Sequence, residues 1–361
     1  MTDEIKQQLA AKNQKLIEMV IQRAKRDFLD DIGLIGLTGS FATGDYHENS
    51  DLDLIIVNSS DEGWTISKSF ILGNVGYDVY CTPWDNLERK AELECVGVSS
   101  LTDLLVLYAA KPEYLKRLEA LQEKARKKLA AGVSIDSIKR ADKHLDIAKQ
   151  KFTDMILAHN YGEVRHAAAE MVHNLVNCIV SLNNTCIKRG IKRYIEELLT
   201  YEYLPPDFEM LYYAIIDSKT IENTKENATK IISAVIALRD ALQKQCAQKT
   251  TPTYDNLKGW YEECWCNNRN KIIESISKKD KSYAFFAALG AQSYLDEMTS
   301  KHGTKKYDLI GCFDSDDMGK FLQTFLQAMD DILQEYENVG LKVQKFDTFD
   351  DLYLSFMKVK L

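Results

Sequence analysis

The sequence predicts an α+β protein, with a small mixed-sheet head followed by a largely helical bundle body. Within the first hundred residues, three short apolar runs end in turn-forming residues, the pattern of buried strands. From Ser100 onward, apolar residues recur at the three- and four-residue spacing of amphipathic helices. At 361 residues the chain is too long for one typical core, so more than one domain is expected.

The head begins with a helix and continues with strands. Residues 3–29 carry apolar side chains at helical spacing and predict one amphipathic helix. The segment "DIGLIGLTGS" at 31–40 is a short apolar run closed by glycine, which predicts a buried strand. Two further strands are predicted in "DLDLIIVNSS" at 51–60 and in "GYDVYCTP" at 76–83, where Pro83 ends the run.

The rest of the chain is predicted to be helical, with one clear linker. "QKTTPTYDN" at 248–256 holds one of only five prolines and is the expected boundary. We therefore expect a head at 1–99, a helical bundle at 100–250 and a C-terminal helical subdomain at 251–361. Helices are predicted over 101–109, 112–131, 134–159, 162–189, 191–199, 205–215, 221–248, 257–277, 281–301 and 316–337.

The formal net charge of −8 narrows the classes of partner. A dedicated nucleic-acid binder normally presents a basic face, so nucleic acid is not an expected partner. The charge is uneven, with twelve Lys and Arg against six Asp and Glu between Lys111 and Lys151. A solvated helix face and a basic wall facing a polyphosphate both explain this excess, and the sequence leaves the two open.

The sequence also bears on location. No apolar run approaches the roughly 20 residues that a membrane-spanning helix needs, and the charged N-terminal segment lacks the apolar core of a signal peptide. The eight cysteines are scattered, as expected for reduced thiols. We therefore expect a cytoplasmic protein without a membrane partner.

Two aspartates stand at the head of the second predicted strand. Because alternate side chains of a strand share a face, Asp51 and Asp53 point one way, and Leu52 and Leu54 point the other. Two carboxylates on one face repel each other unless a cation lies between them. Mg²⁺ is the natural cation, since it takes oxygen ligands and keeps phosphates as further partners. The pair therefore predicts a magnesium site suited to phosphoryl displacement.

Gly39 and Ser40, at the end of the first predicted strand, fit the same chemistry. The glycine lets the backbone approach a phosphate closely, and the serine adds a hydroxyl group. Asp78 adds a third acid on a neighbouring strand, between Tyr77 and Val79. The pattern thus combines a phosphate-binding turn with three carboxylates.

This order of motifs resembles the nucleotidyltransferase superfamily of the polymerase-β type. The match joins Gly39-Ser40, ten intervening residues, Asp51-x-Asp53 in an apolar strand, and a later acid at Asp78. The resemblance implies that Asp51 and Asp53 hold metal ions, with two Mg²⁺ expected. It also implies that Asp78 completes the metal site or helps to deprotonate the attacking hydroxyl group.

The resemblance covers roughly residues 30–95 and implies that the head is a catalytic domain. It implies that Gly39, Ser40 and the first two acids bind the nucleotide, ATP or another NTP, with the glycine-serine pair at the β- and γ-phosphates. Many relatives carry a basic residue where Thr43 stands in this chain. Neutralisation of the phosphates is therefore expected from elsewhere, with the segment 111–151 as a candidate.

A polar stripe in the helical body suggests a cleft. It consists of amides, imidazoles and one carboxylate, whereas a solvated face is normally rich in Lys and Glu. Hydrogen bonding between helices explains the stripe equally well. The residues at helical spacing are His166, Glu170, His173 or Asn174, Asn177, Ser181 and Asn184.

The layout of the body is also similar, loosely, to the C-terminal bundles of aminoglycoside and lincosamide nucleotidyltransferases. That similarity implies that the bundle binds the acceptor and that Glu170 deprotonates the acceptor hydroxyl group. A structural pair of His166 with Glu170, four residues apart on one helix, is the competing interpretation.

Together these features predict Mg²⁺-dependent transfer of a nucleoside monophosphate, AMP foremost, from an NTP to a hydroxyl group of a small molecule, with release of pyrophosphate. An antibiotic is one candidate acceptor. Two alternatives stay open: a protein adenylyltransferase or toxin–antitoxin type nucleotidyltransferase, and a nucleotide-binding interaction module without turnover. The sequence leaves the acceptor, the base preference and the oligomeric state open.

Overall fold

The structure is a computed structural model that describes residues 2–95, 97–246 and 251–358. Two units make up the chain, Met1–Ala247 and Gln248–Leu361. The predicted α+β class is confirmed, since the described residues form one mixed sheet in the head and helices elsewhere. The finer division into three domains stays a prediction.

The sheet has five strands in the described residues, in the spatial order β3-β4-β2-β1-β5. Strands β2 and β4 run parallel, and the other three neighbouring pairs are antiparallel. The strands are β1 (Ile32–Leu37), β2 (Leu54–Asn58), β3 (Lys68–Leu72), β4 (Val75–Pro83) and β5 (Leu105–Ala109).

Burial explains why these segments form strands. Every residue of β1 and β2 is buried, as expected of continuous apolar runs covered on both faces. In β4 the first six residues alternate, with Val75, Tyr77 and Val79 buried and the residues between them exposed. That alternation places Asp78 and Tyr80 on the same exposed face of β4.

The three strands expected in the head are all present, with two corrections. Strand β2 begins at Leu54, so Asp51 and Asp53 precede the strand instead of belonging to it. The helix predicted over 101–109 is wrong, because residues 105–109 form β5. This run pairs with the outer edge of β1, whose backbone N–H and C=O groups need partners.

Helices cover both faces of the sheet. Helix α1 (Asp3–Asp27) buries Val20 and Ala24 against the face that includes Ile35 and Ile56. The short helices α2 (Gly39–Thr43), α3 (Trp84–Ala91) and α4 (Ser99–Thr102) follow in the head. On the opposite face, α3 packs together with the first body helix, α5 (Pro112–Ala130).

Long helices then build the body of the first unit. Their shared core is apolar and almost wholly buried, and α6 packs along the length of α7. These helices are α6 (Ile135–Leu157), α7 (Tyr161–Leu182), α8 (Tyr194–Leu198), α9 (Phe208–Asp217) and α10 (Ile221–Cys246).

Helix α7 ends at Leu182, seven residues before the predicted end at 189. Asn184 takes a left-handed backbone conformation (φ 47°), which suits asparagine and terminates a helix. Its side-chain amide donates to the carbonyl oxygens of Lys128 and Leu129 at 2.8 and 3.1 Å. The chain after α7 is thereby free to form a loop, and this loop becomes part of the site described below.

The second unit is helical as well. Its core contains the fully buried rings of Phe321, Phe325 and Tyr336. A π-helical turn at Trp265–Arg269 joins two of its helices. In the parts of the chain that the structure describes, every helix is too short or too polar to cross a bilayer. The helices are α11 (Tyr254–Leu257), α12 (Trp260–Cys264), α13 (Asn270–Ser277), α14 (Lys281–His302), α15 (Met318–Asn338) and α16 (Phe349–Lys358).

Candidate active site

A tight turn joins β1 to the site. Gly39 opens α2 directly after β1 and has a left-handed backbone (φ 72°). A Cβ atom at this position would lie 1.7 Å from Oδ2 of Asp53, so only glycine fits. The backbone N–H of Thr38 donates to the carbonyl oxygen of Asp53 at 3.0 Å. The turn therefore holds the end of β1 against the residues that lead into β2.

Asp51 and Asp53 occupy the entry to β2 in the predicted alternation. Leu52 and Leu54 are buried, whereas Asp51 is exposed and Asp53 is half-buried. Burial and the neighbouring charge of Asp51 raise the pKa of Asp53 above its usual range. The Ser40 backbone N–H and the charge of Lys192 act in the opposite direction. The charge of Asp51 thus acts on Asp53, and the Ser40 N–H and Lys192 offset the resulting repulsion only in part.

Both aspartates line one cavity of about 680 Å³ in the first unit. From the head, the cavity is lined by the turn after β1, by Tyr80 of β4 and by residues within 97–103. From the body, it is lined by Asn177 of α7, Tyr194 of α8 and the loop between these two helices. The structure therefore places the four predicted nucleotide-binding residues in the lining of one cavity: Gly39, Ser40, Asp51 and Asp53.

The loop 187–193, "IKRGIKR", forms a basic wall of this cavity, and we call it the basic loop. Lys188, Arg189 and Lys192 line the cavity. The loop has a defined shape, because the Glu197 carboxylate accepts the backbone N–H groups of Lys188 (2.8 Å) and Arg189 (2.5 Å). Gly190 supplies a left-handed turn (φ 69°) in the middle. Three cations thus line the same cavity as the aspartates, on a backbone that hydrogen bonds hold in place.

Two contacts tie the basic loop to the head. Arg193 pairs with Asp45 at 3.4 Å, and both side chains are more than a third exposed. The Ser99 hydroxyl group donates to the carbonyl oxygen of Ile187 at 2.7 Å. Because an exposed ion pair contributes little in water, we take these contacts as positioning the loop, with a small effect on overall stability.

Asp78 lies beside this cavity but does not line it. It occupies β4 next to β2, and the Ser69 hydroxyl group donates to its carboxylate at 2.8 Å. Burial, then the charges of Asp53 and Asp78, raise the pKa of Tyr80. Tyr80 is thus close to both acids and is the residue of β4 that reaches the cavity.

Glu170 lies outside the cavity, although it was predicted as the base. Its carboxylate pairs with Lys151 of α6 at 2.9 Å and with His166 at 3.5 Å. The Lys151 hydrogen bond is the main cause of a lowered pKa for Glu170. A carboxylate with a lowered pKa is a weaker base, so the geometry favours the structural pairing that the sequence left open. The catalytic role of Glu170 stays a prediction without support from its position.

Residues of the polar stripe lie in two different environments, the cavity and a contact between helices. Asn177 lines the cavity with the aspartates, as a cleft-lining residue would. Asn184 bonds to backbone carbonyl groups of α5, as an inter-helix residue would. Both interpretations that the sequence left open therefore apply, to different residues of the stripe.

The donor set suits a divalent cation of the magnesium kind. Asp51 and Asp53 offer carboxylate oxygens in one cavity, and a cation there would relieve the repulsion that helps to raise the pKa of Asp53. Across residues 2–95, 97–246 and 251–358, no three His, Cys, Asp or Glu side chains form a group that could hold a metal ion. The role of Asp78 as a third ligand therefore stays a prediction.

The basic loop is the main feature of the site that sequence reasoning missed. The predicted helices 162–189 and 191–199 covered every residue of the loop except Gly190, and the segment 111–151 was the candidate source of the phosphate-binding cations. The available signal was the cluster of four Lys and Arg around Gly190, directly after the polar stripe. No residue of 111–151 is among those lining the cavity in the described structure.

Comparison with known families agrees with the family resemblance found in the sequence of the head. Residues 17–157 match a nucleotidyltransferase domain. The match includes the Gly39-Ser40 turn and all three acids of the head, whereas the basic loop and Glu170 lie beyond it. It supports nucleoside monophosphate transfer as the general activity and leaves the antibiotic branch a prediction.

Among solved structures, the chain is similar to a nucleotidyltransferase-like protein from Exiguobacterium sibiricum 255-15, at 13% identity and a TM-score of 0.37, covering 62% of this chain and 73% of that one. A comparison with curated proteins gives no match.

Proposed function

We propose that this chain transfers a nucleoside monophosphate, AMP foremost, from an NTP to a hydroxyl group of a small molecule and releases pyrophosphate. The observation that carries the proposal is one cavity lined by Asp51 and Asp53, by the Gly39-Ser40 turn and by three cations of the basic loop. Acids that suit a cation and cations that suit phosphates are the two halves of a metal–triphosphate site.

The basic and the acidic residues of the cavity would have separate roles. Lys188, Arg189 and Lys192 would bind and neutralise the triphosphate, the task for which many relatives use the position of Thr43. Asp51 and Asp53 would hold Mg²⁺, which, when bound, supplies electrostatic stabilisation of the charge that develops on the phosphate oxygens. The proposal includes Asp78 as a supporting acid of this site.

The acceptor oxygen would approach the α-phosphorus from the side opposite the pyrophosphate. The cavity is large enough at about 680 Å³ for a nucleotide. Residues held on either side of it, from the head and from the loop after α7, would fix the donor against the acceptor, which is the main contribution that positioning makes to such transfers. An antibiotic acceptor and a cytoplasmic location, where NTPs and reduced thiols occur, are finer parts of the same proposal.

The test uses α-labelled ATP, GTP, CTP and UTP with Mg²⁺, offered together with a panel of hydroxyl-bearing small molecules. Native protein is compared with Asp51→Asn, Asp53→Asn and, as a matched control, the exposed head residue Asp61→Asn. We expect label on an acceptor with native protein and with Asp61→Asn. Loss of a metal-binding carboxylate should lower the rate by roughly a hundredfold or more, and removal of Mg²⁺ by EDTA should have the same effect.

Two outcomes would contradict the proposal. Near-normal transfer by Asp51→Asn and Asp53→Asn would mean that these acids are not the site. Label on a polypeptide, with none on any small molecule, would move the function to protein modification.

A further inference from the structure

A second cavity of about 250 Å³ adjoins the first. It lies within the first unit and is lined by residues of α7, α9 and α10, together with Ile191 of the basic loop and Tyr194 of α8. Its walls are mainly apolar and aromatic, and we call it the apolar pocket. The residues that define it are Val172, Val176, Tyr194, Tyr212, Ile215 and Ile216.

The two cavities share part of their walls. Ile191 and Tyr194 line both of them. Along α7, Asn177 lines the cavity with the aspartates and Val176 lines the apolar pocket. A molecule seated in the apolar pocket therefore lies next to the proposed NTP site.

A polar junction marks the border between the cavities. The side-chain amide nitrogen of Asn177 lies 3.2 Å from Nε2 of His173 and donates to it. In a neutral ring the hydrogen then sits on Nδ1, which lies 3.5 Å from the Tyr194 hydroxyl oxygen. His173 thus does not accept the hydrogen of the Tyr194 hydroxyl group, which can be donated to a bound molecule.

The charged residues that line the apolar pocket argue against a polycationic acceptor there. Among the described residues that line it, none is Asp or Glu. Its one arginine, Arg165, donates to the backbone carbonyl oxygens of Ile216 and Ser218, both at 3.1 Å. A polycationic acceptor would find no counter-charge there, whereas an uncharged ring system would bury apolar area against valine, isoleucine and tyrosine.

We propose that the apolar pocket binds the acceptor, and that the acceptor is an uncharged, ring-containing alcohol or phenol. This inference rests on the proposed function. The rings occupy the apolar pocket, and Tyr194 orients the acceptor hydroxyl group towards the cavity with the aspartates. The acceptor oxygen bonds to the α-phosphorus, the bond from that phosphorus to pyrophosphate breaks, and the hydroxyl proton passes to water.

The test measures binding of 2-naphthol, a two-ring phenol, by its own fluorescence. Tyramine and kanamycin serve as singly and multiply cationic hydroxyl compounds. The variant Ala169→Trp fills the apolar pocket from an exposed position of α7, so the core of the helix is kept. Ala120→Trp, at an exposed position of α5, is the matched control.

We expect saturable binding of 2-naphthol to the native chain and to Ala120→Trp, with tyramine and kanamycin weaker. Ala169→Trp should weaken 2-naphthol binding by about tenfold or more, because the added ring occupies the same volume. ATP binding, measured on each variant, checks that the fold is intact.

Absent or pocket-independent binding of 2-naphthol, or stronger binding of kanamycin that Ala169→Trp also weakens, would overturn the inference. The readout of ATP binding separates the two proposals. If ATP binding depends on Asp53 but 2-naphthol does not bind, the apolar pocket is wrongly assigned and the transfer function stands. If ATP does not bind at all, the proposed function itself fails.

Discussion

Gly39 and Asp53 are neighbours only because position 39 has no side chain, since a Cβ atom there would lie 1.7 Å from Oδ2 of Asp53. The contact brings the turn after β1 to the acid before β2, and it requires glycine at position 39. The Ser40 backbone N–H, next along the chain, counteracts the rise in the pKa of Asp53. The turn therefore both positions and stabilises the carboxylate.

The first prediction concerns Gly39→Ala. The left-handed backbone costs a residue with a Cβ atom about 1–2 kcal/mol, and the clash with Asp53 adds displacement of the acid. Gly44 is the matched control, because it is also left-handed (φ 77°) and nothing lies within 4 Å of its added Cβ. Thermal unfolding should show a lower Tm than that of the native chain for both Gly39→Ala and Gly44→Ala. Binding of ATP with Mg²⁺ should weaken only in Gly39→Ala, and equal effects on binding in both would contradict the role of the contact.

The second prediction concerns the basic loop. Removing Lys188 and Lys192 together should weaken ATP binding by roughly tenfold to a hundredfold, since each charge-assisted hydrogen bond is worth about 1.5–3 kcal/mol before solvent screening. The effect should shrink as salt is added. Lys116→Ala, an exposed lysine of α5, tests the alternative placement of the phosphate-binding cations in 111–151. A larger loss in Lys116→Ala would reverse the assignment. Isothermal titration with ATP checks each case.

The third prediction concerns Glu170. Because its carboxylate is engaged by Lys151 and lies away from the cavity, Glu170→Gln should leave the rate of transfer almost unchanged. A general base contributes roughly a hundredfold to ten-thousandfold, so steady-state kinetics separates the two cases easily. A drop of that size, with an unchanged fold by circular dichroism, would restore Glu170 as the base.

The fourth prediction concerns acid stability of the second unit. Hydrogen bonds from Lys305, Tyr307 and Gln327 lower the pKa of Asp331 to about 2. The folded state therefore binds its proton less readily than the unfolded state. The stabilisation is present above the usual carboxylate pKa and is lost as the pH falls from about 4 towards 2. It should amount to about 1 kcal/mol after allowance for solvent.

Amide hydrogen exchange of α15 checks this prediction. At pH 6, Asp331→Asn should exchange faster than the native chain, and the difference should fade at lower pH. The exposed neighbour Asp330→Asn should show neither effect. A difference that grows on acidification would mean that the sign of the linkage is wrong.

Much of the head could be predicted because its signals are local. Buried strands such as β1 and β2 are short apolar runs, and the alternation around Asp51 and Asp53 follows from the geometry of an extended chain. The edge strand β5 was predicted as a helix, because a short apolar run has no clear period and only the open edge of β1 decides its state.

The sequence alone determined the α+β class, the Gly39-Ser40 turn and the pair of acids, since each depends on residues close together along the chain. Only the tertiary structure decided what faces them. Asp45 and Arg193 are 148 residues apart and pair at 3.4 Å. The basic loop lies there because Asn184 ends α7 and Glu197 shapes the backbone that follows. Glu170, on the same helix as Asn177, is turned instead towards Lys151. The packing of α6 against α7 determines which side of α7 is turned towards the head. The spacing of residues along the sequence does not predict this orientation.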